Sequence, residues 1–158
     1  MTAAGISVVP MEQRHLDAVA GLEKACFSEP WSREGLAAEL RNNTAHFFVA
    51  ECGKEAAGYL GMHGVLGEGY ITNIAVFPAY RRQGVGEALL DKALFYCESE
   101  GYAFISLEVR ASNTAAIALY QKKGFMQMGV RRNFYRAPIE DGLILTRRFH
   151  AREEESEG

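Results

Sequence analysis

Apolar positions along the chain change period several times, and each change marks an element. Ile6 to Val9 is a short β-branched run closed by Pro10, which predicts a first strand. Leu16, Val19, Ala20, Leu22 and Ala25 to Phe27 then recur at helical spacing, and Ser28-Glu29-Pro30 ends that helix because a residue before proline avoids the α region. Ser32 is placed to cap a second helix over Arg33 to Arg41, with Leu36, Ala37 and Leu40 on its apolar side and Asn42-Asn43 as its stop. Three strands follow, His46 to Glu51, Ala56 to Val65 and Gly69 to Val76, with Gly53-Lys54 and Gly67-Glu68 as antiparallel turns. The period then returns to helical: Val85, Ala88, Leu89, Lys92, Ala93 and Tyr96 form one stripe from Gly84 to Glu100, ended by Gly101. A strand over Ala103 to Val109, a helix over Asn113 to Lys123 with Gly124 at its C′ position, and strands near Phe125 to Val130 and Leu143 to Phe149 complete the pattern. The order βααβββαβαββ predicts an α+β fold with a mixed sheet.

Composition narrows the class. The chain has 158 residues, 48% apolar and 23% charged, which suits one globular domain over residues 1–150 with no need of a disulfide or metal staple. Cys26, Cys52 and Cys97 are odd in number and widely spaced, so they outline neither a disulfide framework nor a zinc knuckle. No apolar run approaches the roughly 20 residues of a membrane span, and Met1 to Gly5 lacks the basic start of a leader, so a cytoplasmic protein is expected. The net charge of −3 is unevenly placed: residues 1–68 carry five basic and nine acidic side chains, and residues 69–150 carry eleven and seven. The acidic stretch 151–158, with Glu153-Glu154-Glu155, reads as a disordered tail. That balance disfavours a nucleic-acid binder, which needs an excess of Lys and Arg, but leaves room for one small polyanion on the second half.

A place for such an anion exists. Arg81, Arg82, Gln83, Gly84, Val85 and Gly86 lie between a strand and a long helix, where first-turn amides and the positive end of the helix dipole converge. No Gly-Lys-Ser/Thr follows, as a Walker loop requires, and Leu89 stands where a dinucleotide fingerprint has its third glycine. The bland alternative is a plain turn with solvated arginines. The longer stretch Ile74-Ala75-Val76-x-Pro78-x-Tyr80-Arg81-Arg82-Gln83-Gly84-Val85-Gly86-x-Ala88-Leu89-Leu90 resembles the acetyl-CoA-binding motif of the GNAT superfamily of N-acetyltransferases, whose core is R/Q-x-x-G-x-G/A. This resemblance implies a mixed, mostly antiparallel sheet of six or seven strands flanked by about four helices. It also implies acetyl-CoA as cosubstrate, with Ile74, Ala75 and Val76 on the pantetheine arm and Arg81, Arg82, Gln83, Gly84, Val85, Gly86 and Glu87 around the pyrophosphate.

A second stretch is more specific. Leu107-Glu108-Val109-Arg110-Ala111-Ser112-Asn113-x-x-Ala116-x-x-Leu119-Tyr120-x-x-x-Gly124-Phe125, followed by Arg131-Arg132-Asn133-Phe134-Tyr135 and Glu140-Asp141, resembles the RimI-type branch, as does Pro30-Trp31-Ser32. That branch acetylates protein N-terminal amines, typically the N-terminal alanine of small-subunit ribosomal protein number eighteen. Phe134 departs from the pattern, since a tyrosine is common there in the substrate-facing loop, and the acidic tail lies outside it.

Acetyl transfer to an amine needs a base, because an α-amine with a pKa near roughly 8 is mostly protonated at neutral pH, and it needs a proton for the departing thiolate. Glu108, in the apolar strand Ile105 to Val109, is the candidate base; otherwise it is an edge-strand carboxylate facing water or pairing with Arg110 or Arg131. Tyr120 reads either as a core tyrosine or as a proton donor, and the family motif implies the latter. Asn113 reads as an N-cap, and the resemblance adds contact with CoA. His15, His46, His63 and His150 have no metal-ligand spacing, so no metal is expected, and Cys97 reads as a buried, inert thiol. Glu29, Glu34 and Glu39 around Pro30-Trp31 are either a solvated face or an attractor for a basic substrate. The expected partners are acetyl-CoA and the N-terminal segment of a ribosomal protein, with no direct nucleic acid or membrane contact and a monomeric state. The alternatives are acetylation of a small amine or a lysine side chain, or an acyl-CoA-binding module without turnover.

Overall fold

The computed structural model describes residues 5–149, so the acidic tail and His150 lie outside the described residues. Eleven elements follow one another in the expected order: β1 (Ile6–Pro10), α1 (Leu16–Cys26), α2 (Arg33–Glu39), β2 (Ala45–Cys52), β3 (Glu55–Val65), β4 (Glu68–Val76), α3 (Val85–Ser99), β5 (Phe104–Arg110), α4 (Thr114–Lys122), β6 (Met126–Arg136) and β7 (Ile139–Arg148). Short 3-10 turns at Gln13–His15 and Pro78–Tyr80 precede α1 and the loop before α3. The strands form one seven-stranded sheet in the order β1-β2-β3-β4-β5-β7-β6. Its β4–β5 pairing is parallel, whereas β1–β2, β2–β3, β5–β7 and β6–β7 are antiparallel.

The chain divides into two compact units, with β4 contributing to both. The first runs to Gly64 and adds Ile71–Tyr96. Its core gathers Met11, Leu16, Val19, Leu22, Leu36, Phe47, Val49, Tyr59 and Ala75, which joins the apolar faces of α1 and α2 to strands β2, β3 and β4. Ser32 caps α2 as its sequence suggests, accepting from the Gly35 amide at 3.0 Å. Gly58 has no substitute at its position, because a Cβ there would lie 2.7 Å from the Ala75 carbonyl oxygen. The buried stripe of α3 is Val85, Leu89, Leu90, Ala93, Leu94 and Cys97. The sequence pattern also puts Ala88, Lys92 and Tyr96 on that stripe, but all three are only partly buried, because the buried face includes Leu90 and Leu94 beside Leu89 and Ala93.

Within this core sits a carboxylate. Glu23 has no exposed surface, and its oxygens accept from the Trp31 amide at 2.7 Å, from the Asn73 side chain at 3.1 Å and from the Tyr59 hydroxyl. Three donors replace the water the group has lost, which is the condition for burying it at all. The Trp31 bond also fixes the Pro30-Trp31 loop, whose indole packs edge-on against Phe47 at 6.1 Å.

The second unit comprises Val65–Tyr70 and the chain from Cys97 onward. Here β6 and β7 run much longer than their apolar cores predict, as a hairpin whose pairing continues to Arg136↔Ile139. The polar run Arg131 to Arg136 carries no alternation to announce a strand. Its pairing is instead held by register shifts between Arg131 and Tyr135 and by Asn133 at φ +53°, whose amide donates to Asp141 at 2.9 Å.

Burial raises the Glu23 carboxyl above its ordinary range by penalising its charge, more than its three donors lower it. A raised folded pKa means the group's stabilising contribution is complete below the unfolded value near 4.5 and is lost as pH rises through the folded value. Urea unfolding of wild type and Glu23→Gln at pH 4.5 and pH 7.5 should therefore show wild type losing stability relative to the variant at the higher pH. A difference that stays constant contradicts the argument.

Candidate active site

Residues 81–84 make the turn between the Pro78–Tyr80 segment and α3. Arg82 and Gly84 take φ of +64° and +84°, so two left-handed residues curl the backbone before the helix begins. The first helical bond runs from the Ala88 amide to the Gly84 carbonyl at 3.0 Å. The amides before it are the first-turn donors that a helix leaves without intrahelical acceptors, at the positive end of a 15-residue dipole. Gly86 is explained by nothing in the protein itself: a Cβ there would meet only Val76 Cγ2 at 3.8 Å, ordinary contact. A glycine with open space beside it and amides around it fits a ligand that approaches the backbone. The residues present thus suit a diphosphate, held by main-chain donors of Gly84, Val85, Gly86 and Glu87 rather than by a carboxylate side chain.

The side chains of the motif have diverse partners. Arg81 folds back, its Nε donating to the Val76 carbonyl at 3.2 Å and its terminal nitrogen reaching Cys26 Sγ at 3.5 Å, so it ties the loop to the end of β4. Gln83 donates to the Ala79 carbonyl at 3.1 Å. Arg82 is exposed, and Ile74 and Val76 are half-buried on either side of buried Ala75. Tyr80 donates to Glu55.

In the second unit the sequence motif centred on Glu108 folds as a cluster. β5 lies between β4 and β7, so Glu108 is on an interior strand and not on an edge, and its side chain is 7% exposed. Arg131 Nε donates to Oε2 at 2.7 Å, and the Tyr70 hydroxyl donates to Oε1. Of the two pairings open to this carboxylate, Arg131 is the one formed. Arg110 turns the other way, to Glu140 at 3.2 Å, and lies over the Tyr135 ring at 4.4 Å. Tyr70 was not foreseen. The parallel register Tyr70↔Ser106 brings it beside Glu108, and no local pattern encodes a parallel pairing.

Tyr120 is placed by the end of its own helix. The Phe125 amide donates to the Tyr120 carbonyl and the Gly124 amide to Gln121, both at 3.0 Å, with Gly124 at φ +92°. These two bonds are a Schellman closure, and its usual apolar contact is the Tyr120–Phe125 ring pair at 5.6 Å. Asn113 caps the other end, accepting from the Ala116 amide at 3.2 Å. Glu140 fixes the turn before it by accepting from the Ser112 amide at 2.6 Å, and that bond with Arg110 holds its carboxyl below the ordinary range. Phe134 packs over Gly142, edge-on to Tyr135 at 5.0 Å, with Arg131 5.9 Å from its ring.

The other sequence candidates have structural partners. His15 pairs with Glu51 and His63 with Glu39, each at 2.6 Å, and Tyr96 lies 3.2 Å from His46. Glu39 is thus turned to His63 rather than presented as part of an open acidic face. Cys97 is buried, and burial pushes its thiol up to about 12. Among the described residues no group of His, Cys, Asp and Glu could hold a metal, and no helix is long and apolar enough to cross a membrane.

Burial, with a smaller contribution from Tyr135, pushes the Tyr120 phenol up to about 12. The group stays a donor throughout the neutral range. Its stabilising contribution holds below the unfolded value near 10 and is lost as pH rises through about 12. Alkaline absorbance titration of wild type against Tyr120→Phe should show the missing tyrosinate developing near pH 12; loss of an ionisation near pH 10 would contradict this placement.

The model of the acetyltransferase (GNAT) family matches residues 16–125. The ribosomal protein bS18-alanine N-acetyltransferase of Escherichia coli (strain K12) is 40% identical over 136 residues, covering 86% of this chain and 90% of the relative. The crystal structure of the ribosomal-protein-S18-alanine N-acetyltransferase from Escherichia coli superposes with a TM-score of 0.86 at 35% identity, covering 94% of this chain and 97% of that one. A GNAT family acetyltransferase from Elizabethkingia anophelis, crystallised with acetyl-CoA bound, shares the fold at 22% identity and a TM-score of 0.74, covering 93% of this chain and 100% of that one.

Proposed function

Because the chain belongs to the acetyltransferase (GNAT) family, we propose that it is an acetyl-CoA-dependent enzyme for protein N-terminal alanine, with small-subunit ribosomal protein bS18 as its substrate. The observation that carries this reading is the 40% identity over 136 residues with a relative named for that reaction. We take residues 1–150 as one acetyltransferase domain, acting as a monomer in the cytoplasm.

Bound acetyl-CoA supplies an activated acyl group on a good leaving thiolate. The main-chain donors of the Arg82–Glu87 turn hold its diphosphate, Ile74 to Val76 align its pantetheine arm, and Asn113 lies beside it while capping α4. Glu108 takes the proton of the incoming α-ammonium, directly or through water, and so makes the amine nucleophilic. Its two donors orient the carboxylate. Tyr120 gives a hydrogen bond, and then its proton, to the departing sulfur. A phenol pushed up to about 12 is protonated throughout the neutral range, so it is available as a donor when the sulfur leaves. Cys97 is not suited to carry the acetyl group, being buried with its thiol pushed up to about 12. The amine therefore attacks the thioester directly.

An Ala-starting peptide should be acetylated with release of one thiol per turnover, while the same peptide with a blocked N-terminus and spermidine should not react. Glu108→Gln should lower kcat/KM by about a hundredfold or more at neutral pH, and Tyr120→Phe should lower kcat more than it raises KM. Equal rates on the free and blocked peptides would replace this reading by lysine acetylation, and absence of thiol release with both would replace it by a binding module.

A further inference from the structure

We propose that Tyr70 is a positioning residue for Glu108: its hydroxyl fixes Oε1 while Arg131 fixes Oε2, leaving the remaining lone pairs of the carboxylate aimed at the amine. This rests on the reading of Glu108 as the base. Tyr70 sits opposite Ser106 in the parallel β4–β5 register, and Ser106 and Glu108 share a face because strand side chains alternate. The phenol therefore crosses two residues along β5 to reach the carboxylate. Tyr70 is 38% exposed, too open for its ring to be there for burial alone, yet its hydroxyl ends on an oxygen of a side chain that is 7% exposed.

The chemistry of the two donors differs in a way that suits the task. Arg131 is a full charge on a long, half-exposed side chain. Tyr70 is neutral, on the rigid middle of a sheet, and two torsions place its hydroxyl. Burial, and then the hydrogen bond to and charge of Glu108, push its ionisation above the ordinary range, so it is a donor throughout the neutral range. A carboxylate has about four lone-pair sites, so two donors leave two for the amine or its water. Without Tyr70 the glutamate would keep one tether and regain torsional freedom. A shift of about 1 Å in a reacting group costs on the order of a hundredfold in rate. Besides Tyr70 from β4, the groups facing Glu108 are Arg131 and Tyr135 from β6, with apolar Ile144 opposite it on β7; Arg110 on its own strand is engaged by Glu140.

The test compares Tyr70→Phe, Glu108→Gln and the double variant in the full chain, with acetyl-CoA and an Ala-starting peptide as substrates. Tyr70→Phe should lower kcat about tenfold and leave KM for acetyl-CoA within about twofold, because the loss falls on the orientation of the base and not on cofactor binding. The double variant should be no slower than Glu108→Gln alone, since a residue that acts through Glu108 has nothing left to position. Urea unfolding supplies a readout independent of activity: the losses of the two single variants should fail to add in the double variant. A lowered rate accompanied by a proportionate rise in KM for acetyl-CoA, or strictly additive unfolding losses, overturns the proposal. If Glu108→Gln is slow while Tyr70→Phe matches wild type, only the role of Tyr70 is lost; if Glu108→Gln keeps full activity, the base assignment is lost and this proposal with it.

Discussion

A carboxylate that is 7% exposed, in the middle of an apolar strand, can persist there only if other groups replace the water it has lost. For Glu108 those groups are a phenol from β4 and a guanidinium from β6, one on each oxygen. Much of the second unit follows from the need to bring them there. The parallel pairing of β4 with β5 sets Tyr70 in reach, and the long β6–β7 hairpin delivers Arg131. The hairpin is itself pinned by Glu140 to the Ser112 amide and by the Tyr135 ring to Arg110. The same pins fix the turn from which α4 starts, and α4 carries Tyr120. One set of contacts thus supports both proposed proton-handling groups.

The first unit repeats the solution with a different purpose. Glu23 is more deeply buried than Glu108 and has three neutral donors instead of a cation, so no charge offsets its own and its carboxyl is raised by burial. Its partner Trp31 belongs to the loop between α1 and α2, which turns a costly buried charge into a fixed loop position. Glu108 keeps a cationic partner and two spare lone-pair sites, which suits the base role proposed for it. Both carboxylates are held by donors from other elements, and they differ in the number of donors and in whether one of them is a cation.

The turn proposed to hold the diphosphate rests on backbone more than on side chains. Arg81, which a reading of the motif alone would set against a phosphate, is bonded to the Val76 carbonyl, and Gln83 to the Ala79 carbonyl. What remains is the conformation: left-handed Arg82 and Gly84, an unobstructed Gly86 and the opening amides of α3. Such a site depends on peptide dipoles that no single side-chain change removes.

Local patterns in the sequence were enough to determine the order of elements, the Ser32 and Asn113 caps, the Gly124 helix stop and the glycine turn, because periodicity, capping and left-handed glycines act over a few residues. Glu108 and Tyr120 were legible only through a motif, since a glutamate in an apolar strand has the same local signature whether it faces water, a salt bridge or a substrate. Tertiary structure alone decided three things: that β5 is interior, that Arg131 rather than Arg110 takes Glu108, and that Tyr70 completes the pair. It also made strands of the polar run 131–136, whose partner lies across a hairpin instead of in an apolar pattern. For the two donors on Glu108 the reason is distance: they lie 23 and 38 positions away, and no local pattern carries information that far. For the 131–136 run, whose partners are near in sequence, register shifts remove the alternation that would announce a strand.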